Sequence, residues 1–193
     1  MNEGRDCNEA LPGRQASAVA AKAAPARAFL YLLRSMKIRD ATQADLPFIV
    51  AANAALATET EGQTLDLALL RPGVQAVLDD PGLGRYYLAE IDGKVVGQLM
   101  TTYEWSDWRN GLFLWIQSVY VIPEHRGDGV FRALFGHLTE LAHEDARICG
   151  IRLYVDRSND RAQEVYARFG MHRSNYRVME TVCRGPESRE EPA

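Results

Sequence analysis

The sequence predicts an α+β domain built on one mixed, mostly antiparallel central sheet flanked by helices, and three observations predict it. Asp92-Gly93 lies between two runs rich in apolar and β-branched residues, which is a two-residue hairpin signal. The run Leu112 to Ile122 is almost unbroken in its apolar character, as expected of a central strand covered on both faces. It is followed by a glycine-rich turn, an amphipathic helical pattern and another strand, a strand-turn-helix-strand unit at the centre of the chain.

The elements follow in order from Met36. A short strand is expected at Lys37 to Arg39, then Asp45 as the N-cap of an apolar helix through Ala57. A second helical pattern covers Leu65 to Leu78; Pro72-Gly73 interrupts it and favours two short helices meeting at a bend. Arg85 to Ile91 and Lys94 to Glu104 form the hairpin, and Leu112 to Ile122 the long strand that stops at Pro123. Gly129 to Arg147 carries Val130, Phe131, Leu134, Phe135, Leu138 and Leu141 on one side of a helix, and Ile151 to Val155 reads as the next strand. Ala162 to Phe169 and Met171 to Thr181 supply a last helix and a last strand.

Bulk properties set the outer limits. With 193 residues, 47% of them hydrophobic and 25% charged, the chain can bury one sizeable core. The domain is expected over residues 36–183, preceded by a disordered Ala-rich extension over 1–35 and followed by a charged, proline-containing tail over 184–193. A net charge of -4 argues against nucleic acid or an anionic membrane as the main partner. No apolar run approaches the ~20 residues of a membrane span. Cys7, Cys149 and Cys183 are odd in number and scattered, so neither a disulfide framework nor a zinc site is indicated. A reducing, cytoplasmic location and no metal are expected.

The chemistry starts at Arg126-Gly127-Asp128-Gly129-Val130. Here the chain leaves a buried strand and enters a helix, so backbone N–H groups without intrahelical partners point into the turn. A helix N-terminus carries roughly half a positive charge, and glycine lets an anion reach the backbone. His125, Arg126 and Arg132 add positive charge. Val130-Phe131 stand where a P-loop needs Lys-Ser or Lys-Thr, and Arg132 where a dinucleotide fingerprint needs glycine. The turn alone fits equally well a tight connection in which Asp128 caps the helix.

A second motif changes the balance. The turn, with Asn159-Asp160-Arg161-Ala162-Gln163-Glu164-Val165-Tyr166-Ala167-Arg168-Phe169-Gly170 downstream, resembles the GCN5-related N-acetyltransferase superfamily. Arg126 and Gly129 match the family's Arg/Gln-x-x-Gly-x-Gly/Ala, while Asn159, Ala162, Tyr166 and Gly170 match its Asn-x-x-Ala-x-x-x-Tyr-x-x-x-Gly in register. The resemblance implies the acyl-CoA N-acyltransferase fold, with a V-shaped opening between the strand ending at Val121 and the strand beginning at Ile151. Acetyl-CoA would enter that opening as co-substrate. Backbone groups of Val119, Tyr120 and Val121 would bind its pantetheine arm, and amides of Gly127, Asp128, Gly129, Val130 and Phe131, with Arg126, its pyrophosphate. Asn159 would reach the pantetheine side and Tyr166 would protonate the departing thiolate.

Two positions depart from the pattern. Phe131 stands where the family has Gly or Ala, so its side chain turns away from the phosphates or the cofactor shifts. Asp128 is an acid beside two phosphates unless it points to solvent or caps the helix.

Acyl transfer to an amine also needs a neutral nucleophile and stabilisation of an oxyanion. Where some relatives carry a glutamate base, this chain has Gln117, so another carboxylate or a water chain must deprotonate an ammonium of pKa about 10. Glu59, Glu61 and Glu104 are the candidates, and Trp115 and Gln117 share a strand face of which one lines the cleft. The expected acceptor is a primary amine of a small molecule; a peptide or protein amine and a non-catalytic acyl-CoA-binding role are the alternatives. Exposed strand edges leave room for a homodimer.

Overall fold

The computed structural model describes residues 36–179 and 181. The expected extension over 1–35 and the tail over 184–193 lie outside the described residues.

Five strands form one sheet in the order of the chain: β1 (Met36–Asp40), β2 (Arg85–Ile91), β3 (Lys94–Ser106), β4 (Gly111–Val121) and β5 (Ile148–Leu153). The first four pair antiparallel; β5 runs parallel to β4. A parallel neighbour requires a crossover, and the helix α3 (Val130–Glu144) supplies it. Asp92 (φ 50°) and Gly93 (φ 76°) turn β2 into β3, the left-handed pair that a tight hairpin of this twist needs.

Side-chain alternation in β2 builds two cores. Tyr87, Ala89 and Ile91 face α3, where Val130, Leu134, Phe135 and Leu138 are buried against them. Tyr86 and Leu88 face the opposite layer, α1 (Leu46–Glu61) and α2 (Leu67–Asp79), which contribute Leu46, Ile49 and Val74. The last helix, α4 (Asp160–Arg168), joins α3 through Phe131, Phe135 and Phe169.

Several boundaries differ from expectation for local reasons. Asp45 does not cap α1 with its side chain. It closes a 3-10 turn over Gln43–Asp45, accepting from the Thr42 amide at 2.7 Å and hydroxyl at 2.9 Å, and it takes two hydrogen bonds from Arg39. α2 is one helix, not two: Pro72 sits on its solvent side while Val74 anchors the packed side. α3 stops at Glu144 rather than Arg147 because Asp145 turns back to bind the Arg147 amide and guanidinium. That turn lets Leu112 donate to the Arg147 carbonyl at 2.7 Å, which starts β5 at Ile148, three residues before the expected Ile151.

The strand expected over Met171 to Thr181 is absent among the described residues, where 171–179 and 181 pair with no other strand. Its alternation is that of an exposed chain: Tyr176 is 79% and Met179 93% accessible.

Arg39 is a hub that ties β1 to β2 and to the start of α1, since its guanidinium also binds Glu90. The Arg39 hydrogen bonds hold the Asp45 carboxyl down at about 2, against burial, which acts the other way. A depressed carboxyl contributes stability above its ordinary range and loses it as pH falls from near 4 through about 2. Asp45→Asn is therefore expected to cost about 1–3 kcal/mol at pH 7. Urea unfolding at pH 7 and pH 3 should show the gap between the two proteins narrowing at the lower pH.

Candidate active site

β4 is the strand that organises the site. It pairs with β5 only from Leu112 to Ile116, opposite Ile148 to Leu153. Beyond Ile116 the two strands part, and residues 117–121 keep β3 on one side with no strand among the described residues on the other. The expected V is thus present, with Trp115 just before its apex and Tyr154 just after. Their rings meet across it at 4.6 Å. Opposite β3 the register slips between Met100 and Thr101, so that Ile116 faces Thr101 and Ser118 faces Met100. Gln117 is the extra residue of that bulge. It is exposed and donates to Thr102 Oγ1 at 2.7 Å.

The open edge of β4 runs directly into the glycine turn. Pro123–His125 form a 3-10 turn, then Gly127 (φ 94°) and Gly129 (φ 84°) take left-handed conformations that place the chain at the start of α3. A Cβ on Gly127 would meet nothing within 4 Å, so the space beside it is open. Gly129 is the N-cap and no side chain caps the helix. The first-turn amides of α3 therefore have neither intrahelical nor side-chain acceptors. Asp128 neither caps the helix nor points freely to solvent: its carboxylate lies 3.1 Å from His125 Nδ1, inside the turn.

Phe131 turns away from the turn. Its ring stands edge-on to Tyr166 (5.6 Å between centroids) and Phe169 (5.3 Å) and tilted on Phe135 (5.8 Å). Aromatic rings in such edge contacts gain beyond simple burial, which is why a large side chain is accommodated at a position next to open backbone. Tyr166 is half-buried in this cluster, and burial raises its hydroxyl above the ordinary tyrosine range. It is held protonated at neutral pH. Asn159 caps α4, its Oδ1 accepting from the Ala162 amide at 3.0 Å; its amide nitrogen has no hydrogen-bond partner among the described residues.

The structure brings Glu59 to the turn. The end of α1 lies over the last residues of β4, so that Glu59 Oε2 binds Arg126 at 2.6 Å and Glu59 Oε1 accepts from the Tyr120 hydroxyl at 3.2 Å. Arg126 also donates to the Val121 carbonyl at 2.9 Å and lies 5.5 Å over the Tyr120 ring. Desolvation, then the Glu59 carboxylate, pushes the Tyr120 hydroxyl up. Glu61, at the very end of α1, is exposed.

Glu104 is elsewhere. It spans β4 to pair with Arg152 of β5, whose guanidinium lies 3.6 Å over the Phe113 ring and 5.8 Å from that of Trp115. Gly150 makes this stack fit, since a Cβ there would come within 2.6 Å of Phe113 Cε1. Arg152, Phe113 and Tyr154 escaped the sequence reading because only the β4–β5 register sets them against Trp115 and Glu104. Trp105 and Trp108 sit on the hairpin before β4, at the end of that strand remote from the V.

Among the described residues, no group of three or more His, Cys, Asp or Glu could hold a metal ion, and no helix is long and apolar enough to cross a membrane. The model of the acetyltransferase (GNAT) family matches residues 52–171, which include the V, the glycine turn and α4. No curated protein matches. Among solved structures, a possible acetyltransferase from Clostridium difficile 630 is 44% identical, covering 78% of this chain and 99% of its own, with a TM-score of 0.74. An aminoglycoside N-acetyltransferase in complex with CoA (13% identity, 77% and 95% coverage, TM-score 0.63) shares the fold. So does a ribosomal-protein-alanine N-acetyltransferase from Brucella melitensis biovar Abortus 2308 (17%, 76% and 98%, 0.61). With a family model spanning more than half its length and a relative of this identity, the chain belongs to the GNAT family of acetyltransferases.

Proposed function

We propose that this protein transfers the acetyl group of acetyl-CoA to a primary amine of a small molecule, by direct attack in a ternary complex. One observation carries the reading: the edge of β4 that has no strand partner among the described residues leads, through the 3-10 turn at Pro123–His125 and a turn whose Gly127 leaves the backbone open, into the N-terminus of α3, which no side chain caps. An extended amide-bearing arm that ends in a diphosphate is the ligand such a surface fits, because strand-edge groups can pair with the arm and helix amides with the anion. The departures from the family turn do not oppose it, since Phe131 packs among rings and Asp128 is engaged by His125.

In this reading the main-chain groups of Val119, Tyr120 and Val121 hold the arm and the amides of Gly127, Gly129, Val130 and Phe131 hold the diphosphate, the Asp128 amide being engaged by the His125 carbonyl. Asn159 keeps a free amide nitrogen for the arm's other side. Bound acetyl-CoA supplies an activated carbonyl and a thiolate leaving group. Tyr166, protonated at neutral pH as a tyrosine is and pushed further up by burial, donates the proton that the thiolate takes up, while the attacking nitrogen gives its proton to a carboxylate or a water chain. Glu59, which pairs with Arg126, and the exposed Glu61 close α1 and are the carboxylates proposed to receive the acceptor ammonium, whereas Glu104 pairs with Arg152 on β5. A small cationic acceptor suits the acidic balance of the chain.

Titration calorimetry with CoA and a thiol-release assay over a panel of primary amines test this. Binding of CoA with acceptor-dependent thiol release is expected. Binding without release from any amine would leave an acyl-CoA-binding protein, and no CoA binding at all would end the proposal.

A further inference from the structure

Glu59 serves two elements at once. It is the carboxylate at the end of α1, and it is also what holds Arg126, the cation of the glycine turn. Its two oxygens have separate partners: Oε1 the hydroxyl of Tyr120, a buried residue of β4, and Oε2 the guanidinium. Arg126 is accordingly drawn towards α1 and the Val121 carbonyl, away from the helix amides four residues further on.

We propose that Glu59 is exchanged between Arg126 and a cationic amine acceptor, so that filling the anion turn opens the amine site. This rests on the CoA reading above. Both members of the Glu59–Arg126 pair are about two-fifths exposed, 40% and 43%, and an exposed pair of this kind is weak. A diphosphate seated on the first turn of α3 offers Arg126 a doubly charged partner with the helix dipole behind it, which is the stronger of the two attachments. When Arg126 turns to it, Glu59 Oε2 loses the guanidinium that is its cationic partner among the described residues. Oε1 stays on the Tyr120 hydroxyl, whose ring is anchored in β4, so the carboxylate remains beside the open end of β4. The vacated oxygen is then the place for an ammonium group, next to the strand edge along which the thiol arm would lie. Before the turn is filled, the same oxygen is blocked. The acceptor chemistry this selects is a protonated alkylamine, in preference to a neutral hydroxyl or aromatic amine.

Calorimetry on the full chain tests both halves. In Glu59→Gln, Arg126 has no competitor, and CoA is expected to bind about two- to five-fold tighter than to the wild type. Pantetheine, which has the arm without the diphosphate, should bind both proteins alike. Arg126→Gln should weaken CoA binding, and adding Glu59→Gln to it should give no gain. With 1,4-diaminobutane as the cationic probe, saturating CoA should tighten binding to the wild type at least about threefold, with no such linkage in Glu59→Gln. Unchanged or weaker CoA binding by Glu59→Gln, a gain that persists without Arg126, or diamine binding indifferent to CoA would each overturn the exchange while leaving the CoA reading standing. Failure of the wild type to bind CoA would overturn both.

Discussion

Tyr166→Phe should lower kcat by about 100-fold or more while the affinity for CoA stays within about twofold. The substitution keeps the ring, so the edge contact with Phe131 that seats the residue is preserved and only the hydroxyl is lost. That hydroxyl has its proton affinity raised by burial, so it retains its proton well into the alkaline range and becomes a donor only where a basic thiolate develops beside it. Loss of a positioned acid of this kind is felt in the chemical step and not in ground-state binding. The measurement is a steady-state comparison with the best acceptor from the amine panel, alongside CoA calorimetry. Turnover equal to that of the wild type would move the acid to another group. A fall in both turnover and CoA affinity would mean that the hydroxyl mainly supports the binding surface.

Leu134→Ala is expected to be the costliest single truncation in the core, at about 3–5 kcal/mol. Leu134 is fully buried in the middle of α3, within the cluster formed with Tyr87, Leu99, Leu114 and Ile116. A cavity there cannot easily be filled by collapse, because α3 rests on several strands of the sheet at once and moving it to close one gap opens others. Chemical denaturation reads the loss directly. The glycine turn is attached to the first turn of the same helix, one helical turn before Leu134, so a folded Leu134→Ala protein should keep its CoA affinity at low temperature. A loss of less than about 1 kcal/mol would show that the sheet and α3 repack freely.

The fold was legible where a short-range signal and the tertiary environment agree. Asp92-Gly93 marks a left-handed pair through its own turn chemistry, and the apolar run of β4, stopped by Pro123, fits a central strand between two layers. The glycine turn and the Asn159 to Gly170 segment pointed to the family together because its motifs are defined by spacing along the chain. Legibility failed where a decision depended on partners distant in sequence. Tyr176 and Val178 alternate like strand residues, but alternation does not create a partner, and the described residues provide none. The pattern also held no sign that Asp45 answers to Arg39 rather than to α1. In the site, the carboxylates could be named but not sorted. Glu59 and Glu104 look alike in sequence; one reaches Arg126 because α1 ends over β4, and the other reaches Arg152 because β5 pairs in parallel with a particular register.

Phe131 has a consequence of its own. Its amide belongs to the first turn of α3, at the mouth that would receive a diphosphate, while its ring is the surface against which Tyr166 rests. If acetyl-CoA binds as proposed, one residue acts as a spacer between the two ends of that ligand. In the proposed reading, the separation between the anchoring point and the proton donor is set by the ring contacts of a single phenylalanine together with β5, which joins α3 to α4 and is itself paired with β4. In a protein where glycine stood at that position the two ends would be calibrated separately, and here they keep step.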